Sequence, residues 1–276
     1  YTSIQDLGRF GFRRNGVPLS GVMDRYSARL ANRLLGNSEQ DAVLEITQMG
    51  PVLHFKCNTE IAITGAGFTP TLNNFEISLN TRTFVPENGI LKFGLPSYGL
   101  RAYLAVSGGF NSEKKLGSYS QYYGITQKQT IEKGDILDLS HFEGVPLKIT
   151  SSVKVPRAYF TSDTIEVYTG PEYHLLSKLV QKKMLDTKVM VTTESNRMAY
   201  LLAGWEDFSA KEIITAPVQP GTVQLTPSGQ CILLMRDAQT TGGYSRVLQL
   251  TKSAINIVSQ KGAGSSLQFK LVEQSQ

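Results

Sequence analysis

The run Asp237-Ala238-Gln239-Thr240-Thr241-Gly242-Gly243-Tyr244 gathers an acid, an amide, two hydroxyls and a phenol into one short block. It follows the apolar run Cys231-Ile232-Leu233-Leu234-Met235, which reads as a buried strand. Such a strand end presents many hydrogen-bond donors and acceptors at once. The adjacent glycines let a ligand come close to the backbone. The block therefore suits recognition of a small polar molecule. The competing reading is a polar hairpin turn closed by Gly-Gly, the commoner outcome on spacing alone.

Other candidates lie upstream. Gln5, Asp6 and Arg9 precede Gly11 in a loop. Arg101 opens a buried strand and suits a carboxylate partner. Ser107 with Gly108 and Gly109, and Ser118 after Gly117, offer hydroxyl and backbone N–H donors to a developing oxyanion. Asn196 and Arg197 form a positioning pair ahead of Asp237. The expected catalytic residues are Asp237, Arg101 and Ser118. The expected substrate-binding residues are Asp6, Arg9, Ser107, Asn196, Arg197, Gln239, Thr240, Thr241, Gly242, Gly243 and Tyr244. Turn chemistry or a surface ion pair is the plainer alternative for each. Asp24 reads first as a helix cap and Asn32 as a buried amide.

Other chemistries find less support. His54, His141 and His174 each lack a second ligand at metal spacing, so no metal site is expected. There is no Gly-x-Ser-x-Gly elbow, and a Ser-His-Asp triad would need one of those histidines. There is no Gly-x-x-x-x-Gly-Lys loop. Gly65-Ala66-Gly67 looks like a phosphate turn, but Pro70, Asn73 and Asn74 stand where a helix should follow. Any nucleotide is expected on another subunit or at an unfamiliar site.

The elements that must position these residues read as short strands between Gly, Pro and Asn turns. Examples are residues 61–64, 77–79, 131–139 and 189–193. Two helices are expected. Asp24 caps the first, whose apolar face is Tyr26, Leu30, Leu34, Ala31 and Leu35, ending at Gly36. The second spans 171–185, with Leu175, Leu176, Leu179 and Val180 on one face and Lys182 and Lys183 near its end. The order strand, Pro-Ser turn, strand, Gly-Gly occurs at 89–109 and again at 221–243. That echo points to two related β-domains, 1–150 and 151–276.

With 276 residues and 41% hydrophobic content, the chain can build a real core. The net charge of +5 comes from dispersed basic residues, which argues against a nucleic-acid stripe; a solvated surface is the plainer reading, and an anionic small substrate or an acidic partner also suits it. No apolar run reaches membrane-spanning length and no secretory signal is read. Cys57 and Cys231 sit in apolar strand-like runs, so buried free thiols in a reducing, cytoplasmic compartment are expected.

A series of motifs resembles the allophanate-hydrolase-subunit-2 family, also called the KipA family. These are Ser3-Ile4-Gln5-Asp6-Leu7-Gly8-Arg9, Gly16-Val17-Pro18-Leu19-Ser20-Gly21-Val22-Met23-Asp24 and Ala31-Asn32-Arg33-Leu34-Leu35-Gly36-Asn37. Leu44-Glu45-Ile46, the stretch from Arg101 through Gly108-Gly109-Phe110, Leu116-Gly117-Ser118, Ser195-Asn196-Arg197-Met198 and the Asp237 block follow in order. The resemblance implies a mainly β fold: two tandem cyclophilin-like β-barrel domains with a few short helices. Such proteins act as halves of larger machines. The implied function is a non-autonomous subunit of ATP-dependent 5-oxoprolinase. Its implied partners are a KipI-like, allophanate-hydrolase-subunit-1-like protein and a LamB/YcsF-type hydrolase subunit. No cofactor is expected on this chain alone, with ATP and Mg in the complex. The alternatives are a KipA-like regulator opposing a kinase inhibitor, and a carboxyltransferase component for urea or another small amide, which needs biotin on a carrier. The family usually has a short strand before the Gln-Asp-Leu-Gly-Arg motif, so residues ahead of Tyr1 are expected.

The chain departs from the family where Tyr119-Ser120-Gln121 replaces Arg-Ser-Thr and Thr126-Gln127-Lys128-Gln129 replaces a glycine-rich segment. Ala199-Tyr200-Leu201 replaces Gly-Tyr-Arg, Ser245-Arg246 replaces Pro-Arg, and a later Asp is lost near Ser253. The two missing arginines bear on anion recognition and so on substrate identity.

Overall fold

The computed structural model describes residues 1–140 and 152–273; His141 and the expected domain boundary at 150/151 lie outside them. The chain forms two compact units. One is Tyr1–Phe10 with Ser20–Phe160, the other Gly11–Leu19 with Thr161–Gln276. The architecture is mainly β with few helices, as the sequence implies.

The first unit carries β1 (Thr2–Gln5), α1 (Arg25–Leu35), β2 (Val43–Thr47), β3 (Leu53–His54), β4 (Thr59–Gly65) and β5 (Thr71–Leu72). It continues with β6 (Phe75–Glu76), β7 (Arg82–Val85), β8 (Ile90–Lys92), β9 (Arg101–Val106), β10 (Phe110–Asn111) and β11 (Asp138–Leu139). β1-β2-β9-β4-β7 form an antiparallel sheet in that order, and β3-β8-β5-β6 form a second. β9 shows why Arg101-Ala102-Tyr103-Leu104-Ala105-Val106 lacks polar alternation: both of its faces are covered. Ala102, Leu104 and Val106 join Ile46, Ile63 and Leu91 in the core between the sheets. Tyr103 and Ala105 turn the other way, onto α1.

α1 starts and stops where its caps dictate. The Asp24 carboxylate accepts from the Ser27 N–H, and Gly36 closes the helix with φ 74°. Its buried face is Ser27, Ala28, Ala31, Asn32 and Leu35, while Tyr26 is exposed. Of the expected face, Ala31 and Leu35 are buried and Leu34 packs against the same core, whereas Tyr26 is exposed. Small residues face the sheet because the helix packs close to it. Asn32 is a buried amide, donating to the Asp41 carbonyl at 2.9 Å.

A single turn, α2 (Ala158–Thr161), leads on. The second unit then carries β12 (Thr164–Thr169), α3 (Lys178–Asp186), β13 (Val189–Val191), β14 (Ala199–Ala203) and β15 (Glu212–Pro217). β16 (Thr222–Leu225), β17 (Cys231–Leu234), β18 (Thr241–Leu250), α4 (Lys252–Val258) and β19 (Ser266–Leu271) complete it. Seven strands, β12-β19-β13-β14-β17-β16-β18, close into a barrel through the β12–β18 pairing. β15 extends the sheet beyond β18.

Several local expectations need correction. Residues 171–185 do not form one helix: a 3-10 turn, Tyr173–Leu175, gives way to α3, which Ser177 caps by accepting from the Val180 N–H. The Ser cap outcompetes continuation. Gln181 and Met184 are buried there, while Leu175 and Leu179 are exposed. Residues 77–79 are not a strand, and only β11 forms within 131–139. Cys57 is exposed in a bend, whereas Cys231 is buried and burial pushes its thiol pKa up.

Asp24 also accepts from the Tyr159 hydroxyl at 2.8 Å. Asp24→Ala removes the α1 cap and this contact together. A loss of about 2 kcal/mol in urea unfolding is expected, and an unchanged midpoint would show that the cap does not hold the helix.

Candidate functional site

In the first unit the polar residues are tied to one another. Residues 22–24 run from the end of β1 over the middle of β2 and β9 and donate three successive backbone N–H groups. Val22 gives to the Asp6 carbonyl at 2.8 Å, Met23 to the Glu45 carboxylate at 2.6 Å, and Asp24 to the Tyr103 hydroxyl at 2.7 Å. Tyr103 donates in turn to Glu45 at 3.0 Å, and Arg101 Nε lies 3.9 Å from the same carboxylate. Burial, then the charges of Glu45 and Asp24, push the Tyr103 phenol well above its usual pKa, so it stays protonated and donates.

Asp6 is a second hub. Its carboxylate accepts from the Ser118 and Ser120 hydroxyls and the Tyr119 N–H, each at 2.7 Å, and from the Gly8 N–H at 2.8 Å. Leu116 and Gly117, both left-handed, make a two-residue turn that delivers Ser118 to Asp6. Arg9 is fully buried and donates to the carbonyls of Lys115 and Ser120. Gln121, a departure from the family, accepts from the Ile4 N–H through its side chain and from Gln5 through its carbonyl.

The structure thus brings Asp6, Arg9 and Ser118 together, with the Ser118 proton directed at Asp6. Ser107 lies at the far end of β9 from Arg101, where its N–H donates to the Glu60 carbonyl. The N–H groups of Gly108 and Gly109 go to the Asn37 side chain and the Val106 carbonyl. Gly65-Ala66-Gly67 is no phosphate cradle: the N–H groups of Ala66 and Gly67 bond the carbonyls of Arg101 and Tyr98. Ser20, absent from the expected set, is fully buried with a left-handed φ of 54° and an unpartnered hydroxyl.

The second unit differs. β17 and β18 do not pair, because β16 lies between them. The expected Gly-Gly hairpin is therefore absent, and residues 235–240 connect the two strands across an end of the barrel. Gly242 and Gly243 sit inside β18. A Cβ on Gly242 would meet the Gln224 amide nitrogen at 2.8 Å, so the Gln224 side chain packs directly over this glycine. The connection is held by several ties, among them the Arg236–Asn256 side-chain bond, and two of them flank Gln239. Arg197 grips Asp237 with two hydrogen bonds, 2.9 and 3.2 Å, and the Asp237 N–H returns to the Arg197 carbonyl at 3.0 Å. Further on, the Val218 N–H donates to the Thr240 carbonyl at 3.0 Å. Asn196 is exposed and accepts from the N–H groups of Met198 and Ala199, shaping the turn into β14.

Gln239 and Thr240 stay partly exposed, Thr241 is exposed at the start of β18, and Tyr244 follows on the exposed side of the same strand. Two arginines flank this strip. Arg246 pairs with Glu172 at 2.6 and 2.9 Å and also donates to the Pro217 carbonyl. Arg13 donates to the neighbouring Val218 carbonyl. Nothing in the sequence singles out Arg13, since it sits in a short basic run ahead of Gly16. Among the described residues no group of three His, Cys, Asp or Glu side chains could hold a metal ion, and no helix is long and apolar enough to cross a membrane.

Residues 15–271 match the family described as carboxyltransferase domain, subdomain A and B. The chain belongs to this family. It is 32% identical to the 5-oxoprolinase C-subunit of Haemophilus influenzae, over 98% of this chain and 88% of that protein. It is 30% identical to the 5-oxoprolinase C-subunit of Escherichia coli K12, over 98% and 87%. The crystal structure of the K. lactis urea amidolyase superposes with a TM-score of 0.88 at 28% identity. That match covers 99% of this chain but only 18% of the much longer amidolyase.

Asp237→Ala strands the Arg197 guanidinium in a nearly buried setting. It is expected to cost about 3 kcal/mol in denaturant unfolding; a loss below about 1 kcal/mol would mean that the pair does not anchor the connection. The Arg246 hydrogen bonds, opposed in part by burial, hold the Glu172 carboxylate below its ordinary 4.5. Its stabilisation is therefore complete above about 4.5 and is lost as pH falls through the lowered value. Relative to Glu172→Gln, the wild type should be about 2 kcal/mol more stable at pH 7. This gap should narrow below about pH 4.5, and a gap constant down to about pH 2.5 would contradict the ion pair.

Proposed function

We propose that this chain is a non-autonomous subunit of an ATP-dependent 5-oxoprolinase, and that the strip from Gln239 to Tyr244 holds the small amide. The observation that carries the site is the contrast between the two polar clusters. Asp6, Ser118 and the Arg101–Glu45 pair direct their bonds into the protein and serve as positioning residues. The strip in the second unit combines a half-buried, unpaired amide and accessible threonine hydroxyls with two flanking arginines. The near full-length likeness to the 5-oxoprolinase C-subunits supports the choice of substrate.

In this reading Arg13 draws the substrate carboxylate to the strip by charge, beside the Arg246–Glu172 pair that shapes the strip's edge. Thr240 and Thr241 orient the ring by hydrogen bonding, and Asp237 with Arg197 keeps the strip from shifting. A pre-set arrangement of donors of this kind lowers a barrier without reorganising during the reaction. The residues described offer no phosphate loop, so ATP with Mg is assigned to the KipI-like and LamB/YcsF-type partners, where it activates the amide for ring opening. A cytoplasmic location belongs to the same proposal, in keeping with two free cysteines.

The likeness to urea amidolyase supports a second reading, carboxyl transfer from a biotinylated carrier to urea. The deciding assay is ATP turnover by the chain reconstituted with both partners. Hydrolysis that requires 5-oxoproline and releases glutamate is expected. A tight complex that ignores 5-oxoproline would overturn the 5-oxoprolinase reading.

A further inference from the structure

Gln239 lies between two ties of the β17–β18 connection. Asp237 is clamped by Arg197 on one side, and the Thr240 carbonyl is held by Val218 on the other. Ala238 is buried beside it. The Gln239 side chain is only partly buried, yet its amide oxygen is shielded from solvent and has no hydrogen-bond partner. Its amide nitrogen makes no hydrogen bond either among the described residues. Leaving a shielded carbonyl oxygen unpaired is costly, and native structures mostly avoid it. Here the cost falls on a backbone fixed at both neighbours, so the side chain cannot relax by moving the loop.

We propose that Gln239 reads the cis-amide edge of the substrate. A primary carboxamide presents one acceptor and one donor side by side. A lactam, or urea, presents a donor N–H and an acceptor C=O on the same edge. The two edges are complementary: Oε1 accepts from the substrate N–H, and Nε2 donates to the substrate carbonyl. This pairing defines a substrate class, small molecules with a syn N–H and C=O. It rejects the corresponding lactone, whose ring oxygen would face Oε1 lone pair to lone pair. The inference rests on the site proposed above and adds the rule by which that site selects.

The test uses the chain in complex with its KipI-like partner, with binding measured by calorimetry. The probes are 5-oxoproline, its lactone analogue (5-oxotetrahydrofuran-2-carboxylate) and urea. The wild-type complex should bind the lactam about tenfold more tightly than the lactone. Gln239→Ala should level the two affinities while the melting temperature stays equal to or above that of the wild type. Gln239→Glu, which keeps an acceptor and loses the donor, should also weaken lactam binding. Unchanged lactam preference in Gln239→Ala would overturn the inference and leave the 5-oxoprolinase reading intact. A marked fall in melting temperature would overturn it too, by showing a structural role for the amide. Binding of urea but not 5-oxoproline, lost in Gln239→Ala, would overturn the 5-oxoprolinase reading and support the edge-reading rule. Binding of neither amide overturns both.

Discussion

The ion pair between Arg197 and Asp237 is the constraint on which the candidate site depends. It joins the turn before β14 to the exit of β17, neighbours in the barrel, with two side-chain bonds and one backbone bond. Both side chains are nearly buried. Without it, the segment around Asp237 would lose its strongest tie, leaving the Val218–Thr240 contact, the Met235 N–H on the Met198 carbonyl, the Arg236–Asn256 side-chain bond and the short turn between Met235 and Ala238. A segment that skips over β16 has no ladder partner of its own along residues 235–240. Its shape must come from such cross-ties, and charge-assisted bidentate bonds are the strongest available.

The first unit shows the opposite use of polar groups. Asp6, Glu45, Tyr103 and Asp24 form buried hubs whose bonds stitch residues 22–24 and 118–121 to the end of β1 and the middle of β2 and β9. Carboxylates at the heart of a fold are tolerated because each is surrounded by donors. These residues resemble catalytic groups in type: acids, serines and a buried tyrosine. Their saturation is what separates them from Gln239 and its neighbours, which keep bonding capacity in reserve.

Much of the fold was legible in the sequence. β9 and β16 fall where their apolar runs and turn residues put them, and Asp24 and Gly36 mark the ends of α1. The rest was hidden for physical reasons. Ala31, Leu35 and the buried amide Asn32 of α1 were legible, but Ser27 and Ala28, small residues on the same buried face, are not revealed by periodicity in large apolar side chains. Ser177 cuts the expected long helix short because a cap forms locally. The Gly-Gly pair suggested a hairpin, but strand order is set by long-range pairing with β16. The Asp237 block was legible as a polar strand end, whereas the partnering that divides saturated hubs from the open strip is invisible without coordinates. Arg13 reaches the strip from a segment far away in sequence, with nothing local to mark it.

If the second unit's strand-end strip holds the small amide while the first unit's polar hubs hold the fold, a bound ligand must protect the strip alone. Hydrogen–deuterium exchange of the chain with the proposed KipI-like partner, with and without saturating 5-oxoproline, tests this directly. Slowed exchange at residues 237–244, with residues 6–9 and 118–121 unchanged, is the expected result. Slowed exchange at 6–9 and 118–121 with none at 237–244 would contradict it.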